Sequence, residues 1–124
     1  MVFAGLSLRQ CQSNFMDVDV DSSSNEVTCE GAEGTEKVEW KYTDGGDNTG
    51  SIGCPPSGPC TSNVLFTATR TAGSTSSRLT FKQDVKRFRA LYGSFILTCL
   101  TSDPSNPGVV TDLVSCRIDV VRKC

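Results

Sequence analysis

The stretch that decides the fold runs from Val27-Thr28-Cys29 through Trp40 to Leu97-Thr98-Cys99. Ten residues separate Cys29 from Trp40, and a further fifty-eight separate Trp40 from Cys99. Each cysteine lies in a short alternating run typical of a strand, and residues 37–42 alternate charged with apolar side chains, the period of a half-buried strand. A sandwich of two facing sheets with an indole packed at its centre requires this order and roughly this spacing.

In these residues the chain resembles the immunoglobulin superfamily, in its longer variable-like or intermediate form, over most of the range 15–121. The resemblance implies an all-β, immunoglobulin-like two-sheet sandwich with about eight or nine strands. It also implies a disulfide between Cys29 and Cys99 that joins the two sheets, with Trp40 packed on it. The chain departs from the family at Leu97, because the family has a hydrogen-bonded tyrosine two residues before the second cysteine.

Seven cysteines in 124 residues indicate an oxidising compartment and a disulfide-stabilised domain, so we expect a secreted protein or a cell-surface ectodomain. Cys54 and Cys60 are close enough in the chain to close a short ring. The resemblance places the first and last strands side by side, which favours Cys11–Cys116 over the alternative Cys11–Cys124. With an odd count, Cys124 is left for an interchain bond or for a partner outside this chain.

The length of 124 residues allows a single hydrophobic core. We expect a segment at 1–14, the immunoglobulin-like domain at 15–121 and a C-terminal exit at 122–124. A short helix is predicted at 84–92, since Val85, Phe88 and Tyr92 share one helical face between a capping Asp84 and Gly93.

Charge and composition argue against several functions. The net charge is −2 with scattered Lys and Arg, which gives no strong attraction to nucleic acid, and no apolar run is long enough to cross a membrane. The chain has no histidine, which removes the commonest general base and the commonest metal ligand. Glycine-rich phosphate loops and nucleophile elbows are also missing. We therefore expect a non-enzymatic protein without a metal or cofactor.

Candidate binding residues lie in three predicted loops, at 30–35, 45–60 and 101–109, because loops carry function on such scaffolds. By the resemblance, the first and third loops lie at one end of the sandwich. The ring of residues 54–60, with three prolines, is interpreted either as a staple for a long loop or as a rigid binding feature. The residues chosen are Glu33, Asp47, Pro55, Pro56, Pro59, Pro104, Asn106 and Pro107.

The predicted function is extracellular recognition or cell adhesion, in which the loops bind a protein or a glycan. The chain is similar to the immunoglobulin-like domains of secreted invertebrate defence lectins, the fibrinogen-related proteins of molluscs, and to the outer domains of cell-surface receptors, which implies a role in innate immunity or at the cell surface. Two alternatives remain open. One is a structural or oligomerisation domain that forms a homo-oligomer, disulfide-linked through Cys124 or held non-covalently by exposed strand edges. The other is a small secreted inhibitor that uses the Cys54–Cys60 loop.

Overall fold

The structure, a computed structural model, describes residues 5–19, 25–46, 49–63, 65–82 and 94–121. Nine strands in these residues form two sheets, which confirms the predicted all-β sandwich. The helix predicted at 84–92 and the exit at 122–124 lie outside the described residues. One sheet has the order β1 (Ser7–Leu8), β3 (Asn25–Glu30), β7 (Ser76–Phe81), β6 (Phe66–Thr69). The other has the order β2 (Phe15–Asp19), β9 (Asn106–Val121), β8 (Ser94–Asp103), β4 (Lys37–Thr43), β5 (Thr49–Cys54).

The first and last strands of the five-stranded sheet run side by side, as the sequence predicts. β2 pairs in parallel with β9, in a register that places Phe15 opposite Arg117, whereas the other strand pairs are antiparallel. Parallel neighbours need a long connection, and here nearly the whole chain lies between the two strands. One edge of the five-stranded sheet is thus formed by strands from the two ends of the chain.

The core between the sheets is organised as the Cys-Trp-Cys spacing predicts. Cys29 of β3 is bonded to Cys99 of β8, with a Cα–Cα distance of 6.4 Å, so this disulfide joins the two sheets. Trp40 lies opposite Cys99 in the β4–β8 ladder and is fully buried. Closing a loop of this length contributes about 4 kcal/mol on the chain-entropy account.

The indole of Trp40 has a polar partner that its sequence pattern does not reveal. Its Nε1–H donates to the Oγ of Ser77, at 3.0 Å, and the Ser77 hydroxyl donates in turn to the carbonyl oxygen of Thr69, at 3.1 Å. Ser77 is itself buried and lies opposite Cys29 in the β3–β7 ladder. This hydroxyl relay satisfies the one polar group of the indole, which would otherwise be costly to bury.

Two further disulfides are present, and both match the predicted pairings. Cys11 is bonded to Cys116, which rules out Cys11–Cys124, and Cys54 is bonded to Cys60. Residues 1–14, which the sequence assigns to a segment before the domain, supply β1 and the buried Leu8 as well as Cys11. The N-terminal segment therefore takes part in the sandwich.

One end of the sandwich is filled by aromatic side chains. The ring of Phe66 lies 4.8 Å from that of Tyr42, 5.1 Å from Phe81 and 6.2 Å from Phe95. We call these four residues the aromatic end. Leu97 is fully buried in the adjoining core. Phe88 and Tyr92, on the apolar face of the predicted helix, lie outside the described residues.

Two predicted loops are wrong in extent. The range 45–60 contains β5, which pairs along its whole length with β4. Its glycines hide the alternation, and Gly50 is needed there because a Cβ would lie 2.3 Å from the Tyr42 hydroxyl. The range 101–109 consists mostly of β8 and β9, joined by a turn in which Asp103 lies opposite Asn106. Pro104 suits this turn because its fixed φ favours the second position of a turn.

Candidate functional site

Four segments meet at the end of the sandwich opposite the aromatic end. They are residues 31–36 between β3 and β4, residues 55–60 after β5, residues 70–75 between β6 and β7, and residues 103–106 at the β8–β9 turn. We call this group of segments the loop end. The backbone joins two of them directly, since the N–H groups of Gly31 and Ala32 donate to the carbonyl oxygen of Thr75, at 3.2 and 3.1 Å.

Arg70 links its own segment, residues 70–75, to residues 31–36 and to the end of β5. Its guanidinium donates to the carbonyl oxygens of Glu33 at 3.1 Å, Cys54 at 3.3 Å and Ser74 at 3.0 Å, and also to that of Glu36. Burial lowers the pKa of Arg70, and the neighbouring Glu36 carboxylate opposes that shift. Arginine keeps its charge at physiological pH in any case. The side chain thus donates hydrogen bonds to four carbonyls, and so fixes the loops relative to each other.

The disulfide loop, residues 54–60, is anchored at its base and exposed at its tip. Cys54 is fully buried as the last residue of β5, whereas Ser57, Gly58 and Pro59 are exposed. Gly58 has a φ of +102°, a conformation that favours glycine. The Gly73 N–H donates to the carbonyl oxygen of Pro56, at 2.9 Å, which ties the loop to the β6–β7 turn. Such anchoring reduces the ordering cost of any contact that the tip makes.

An acidic depression lies between the β3–β4 loop and the β8–β9 hairpin. It has a volume of about 530 Å³ and is lined by Glu33, Thr35, Glu36, Asp103 and Thr111. The Thr111 hydroxyl donates to Glu36 and receives a hydrogen bond from Thr101, at 2.8 Å. Hydrogen bonds from the backbone N–H and the hydroxyl of Ser105 lower the pKa of Asp103, so this exposed carboxylate is ionised at neutral pH. The depression therefore presents negative charge.

The structure brings most of the predicted site residues together. Glu33 lines the acidic depression, and Pro104 and Asn106 belong to the hairpin beside it. Pro55, Pro56 and Pro59 lie in the disulfide loop of the same loop end. The first and third predicted loops thus share one end of the sandwich. Pro107 lies in the first part of β9 rather than in a loop.

Asp47 lies outside the described residues, in the part of the sequence between β4 and β5, where a turn begins at Asp44. The start of that turn, Asp44 and Gly45, lines a depression with Ser94 and Phe95, at the opposite end of the sandwich from the loop end. The prediction of 45–60 as one loop is therefore wrong, because β5 lies within this range.

The outer faces of the two sheets differ in a way that the sequence analysis missed. In the described residues, the exposed large apolar side chains are Phe15, Ile96, Val109, Val110 and Leu113, and all of them lie on β2, β8 or β9 of the five-stranded sheet. Strand alternation gives the outer face of the four-stranded sheet only polar residues, such as Thr28, Thr69 and Arg78. The sequence does contain one signal of this difference: Val109 and Val110 are adjacent, so they break the alternation of apolar and polar residues.

The chain matches no protein-family model and no curated protein sequence. The described residues include no helix long and apolar enough to cross a membrane. Among those same residues, acidic and cysteine side chains form no group of three or more suited to hold a metal ion. The three disulfides require an oxidising environment for their formation.

Proposed function

We propose that this chain is an immunoglobulin-like recognition module that acts outside the cell, without catalysis, and binds a protein or a glycan through its loop end. The observation that carries the proposal is the fixation of the loops by Arg70, which bonds to the carbonyls of three separate segments. A surface whose loops are already ordered loses little entropy on binding, and affinity rises accordingly. Rigid loops on a stable sandwich are typical of recognition modules.

Three further features support this proposal. The strand orders β1-β3-β7-β6 and β2-β9-β8-β4-β5 resemble the arrangement of immunoglobulin domains. The disulfides favour a secreted protein or a cell-surface ectodomain. The loop end also combines acidic, hydroxyl and proline side chains at an exposed surface, which suits contact with a macromolecule.

The test is a binding screen of the folded domain against arrays of extracellular proteins and of glycans. We expect a specific ligand whose binding weakens about tenfold when Glu33 and Pro104 are both replaced by alanine. The matched control is a double variant at the other end, Asp44→Ala with Ser94→Ala, which we expect to bind normally. A ligand that binds both double variants equally well would exclude the loop end as its site.

One observation favours a second candidate function, inhibition of another protein by the disulfide loop. The tip at Ser57, Gly58 and Pro59 is exposed while its base at Cys54 is fully buried, so the loop is a firmly held projection. An inhibitor would lose activity when Pro59 and Ser57 are replaced, whereas the loop-end double variant at Glu33 and Pro104 would keep it. Comparing these two variants against any ligand that the screen identifies separates the two functions.

A further inference from the structure

The first half of β9 is exposed on both of its faces. From Asp103 to Leu113, every described side chain is exposed, with Val109 at 51%, Val110 at 48% and Leu113 at 58%. Successive side chains of a strand point to opposite faces, so two adjacent exposed valines show that neither face of this segment is covered. Valine and leucine are among the residues most often buried. We call residues 108–113 the exposed arm.

The exposed arm has one edge along which none of the described strands pairs, and we call it the free edge. β8 lies along one edge of β9, but on the other edge β2 pairs only with the stretch from Arg117 to Val121. The ladder to β8 is itself irregular, since Thr101 lies opposite Asp112 and Ser102 opposite Val110, which leaves Thr111 as an extra residue. Bulges of this kind often occur beside binding sites. An edge with unpaired backbone groups is a template for another strand.

Backbone hydrogen bonds indicate which groups face this edge. The Arg117 N–H donates to the carbonyl oxygen of Asn14, at 3.0 Å, so by alternation the N–H groups of Ser115 and Leu113 point to the same side. The Leu113 N–H donates instead to the Asp112 Oδ1, at 2.8 Å, and the Asp112 Oδ2 accepts from the Leu6 N–H, at 2.9 Å. A side chain thus occupies a donor that a neighbouring strand would otherwise use.

The acidic depression adjoins the exposed arm. Thr111 belongs to the arm and also lines the depression, whose carboxylates come from Glu33, Glu36 and Asp103. The Arg70 guanidinium lies close enough to Glu36 for their charges to interact, but its hydrogen bonds go to backbone carbonyls. A cationic group on a partner would therefore complement the charge beside the arm.

We propose that the exposed arm binds an extended peptide segment of a partner protein, which pairs as an added strand along the free edge of β9. Its apolar side chains pack on Val109, Val110 and Leu113, and one lysine or arginine enters the acidic depression. In recognition by strand addition, main-chain hydrogen bonds supply affinity and side-chain contacts supply specificity. This inference rests on the proposed recognition function and names its class of partner.

The experiment selects a displayed library of random linear peptides on the oxidised domain and measures the affinity of the enriched synthetic peptides. We expect sequences that alternate apolar residues and carry a basic residue. Amide hydrogen exchange of the complex should show new protection at Ser115, whose N–H faces the edge, whereas the Leu113 N–H is already bonded to Asp112. Protection confined to the loops, with none at Ser115, would overturn strand addition.

Three variants and two controls identify the surface. Val110→Ser should weaken peptide binding at least about tenfold, whereas Phe15→Ser, an exposed apolar residue elsewhere on the same sheet, should leave it unchanged. Glu33→Gln and Asp103→Asn should each weaken it about threefold, with a loss of salt dependence, because these carboxylates face the basic residue. Asn keeps an oxygen that accepts from Ser105, so the turn survives. Asp17→Asn is the matched charge control and should bind normally.

Four further outcomes would overturn the proposal, and the first three separate it from the proposed function. If Val110→Ser and Phe15→Ser bind the peptides equally well, the arm is not the site. If no linear peptide is enriched while folded proteins or glycans bind the loop end, recognition stands and strand addition falls. A dimer in sedimentation analysis that Val110→Ser dissociates assigns the arm to a second copy of the chain. The absence of any ligand in both screens rejects both proposals together.

Discussion

The two ends of the sandwich are held together by different forces. At the aromatic end, Phe66 packs against Tyr42, Phe81 and Phe95, and the contacts are apolar and buried. At the loop end, Arg70 and a disulfide hold together segments that remain exposed. The comparison shows how a small domain can place its stabilising contacts and its accessible loops at different ends. The aromatic end excludes water. The loop end is ordered by a few hydrogen bonds and a disulfide, and its surface stays accessible to a partner.

The largest expected effect is a loss of stability at the aromatic end. Phe66→Ala removes a fully buried ring at the centre of four aromatic side chains. We expect the free energy of unfolding to fall by about 3–5 kcal/mol, from lost burial and the cavity left behind. Denaturant unfolding measures this loss, and Phe15→Ala, at an exposed phenylalanine, is the control that should change stability little. A loss below about 1 kcal/mol for Phe66→Ala would contradict the assignment of stability to this end.

The next effect concerns Arg70. Arg70→Met keeps an unbranched apolar side chain but removes every hydrogen bond to the loop carbonyls, so we expect a loss of about 2–3 kcal/mol. Arg78→Met is the matched control, because Arg78 is exposed on the polar outer face and lies 3.6 Å from Glu26 in a loose ion pair. Exposed pairs contribute little to stability. Equal losses for the two variants would deny Arg70 its role at the loop end.

The third expected effect is a smaller loss of stability when the disulfide of the disulfide loop is removed. Cys54→Ala with Cys60→Ala opens a ring with a sequence separation of 6, and we expect a loss of about 2 kcal/mol. Limited proteolysis should then cut within residues 55–60, while the sandwich remains folded. Continued resistance of this loop to protease would show that the Gly73–Pro56 hydrogen bond and the prolines alone keep it ordered.

The smallest effect is a pH dependence at the β8–β9 turn. Hydrogen bonds from Ser105 lower the pKa of Asp103 in the folded state below its ordinary value of 3.8. A carboxylate with a depressed pKa contributes stability above its unfolded pKa, and this contribution disappears as the pH falls through the folded value. Asp103→Asn should therefore flatten the acid limb of the stability curve slightly. An unchanged acid limb in the variant would show that the turn does not depend on this charge.

The sequence predicts the centre of this fold better than its edges. The alternation around Trp40 and the spacing of Cys29 and Cys99 indicate which side chains are buried, because burial follows the local pattern of apolar and polar residues. β5 was not predicted because Gly50 and Gly53 interrupt its alternation of apolar and polar residues. Gly50 lies opposite Tyr42 in the β4–β5 ladder, where the tyrosine ring leaves no room for a side chain. Prolines at 104 and 107 likewise concealed the ends of β8 and β9.

The candidate site was predictable only in part. Glu33 and the β8–β9 hairpin follow from the expected position of loops on a sandwich, and the structure brings them to one depression. Arg70 could not be found from the sequence, because its partners are backbone carbonyls that any residue provides. The exposure of Val109 and Val110 depends on where β2 begins and β8 ends, which only the assembled sheet determines.

The central claim is that Arg70 keeps the loop end ordered in the absence of a ligand. Native-state hydrogen exchange of the wild-type domain and of Arg70→Met tests it most directly, at the amides of Gly31, Ala32 and Gly73. We predict protection of all three in the wild type and its loss in the variant, with the amides around Trp40 unaffected in both. Unprotected loop amides in the wild type, or equal protection in both proteins, would contradict the account.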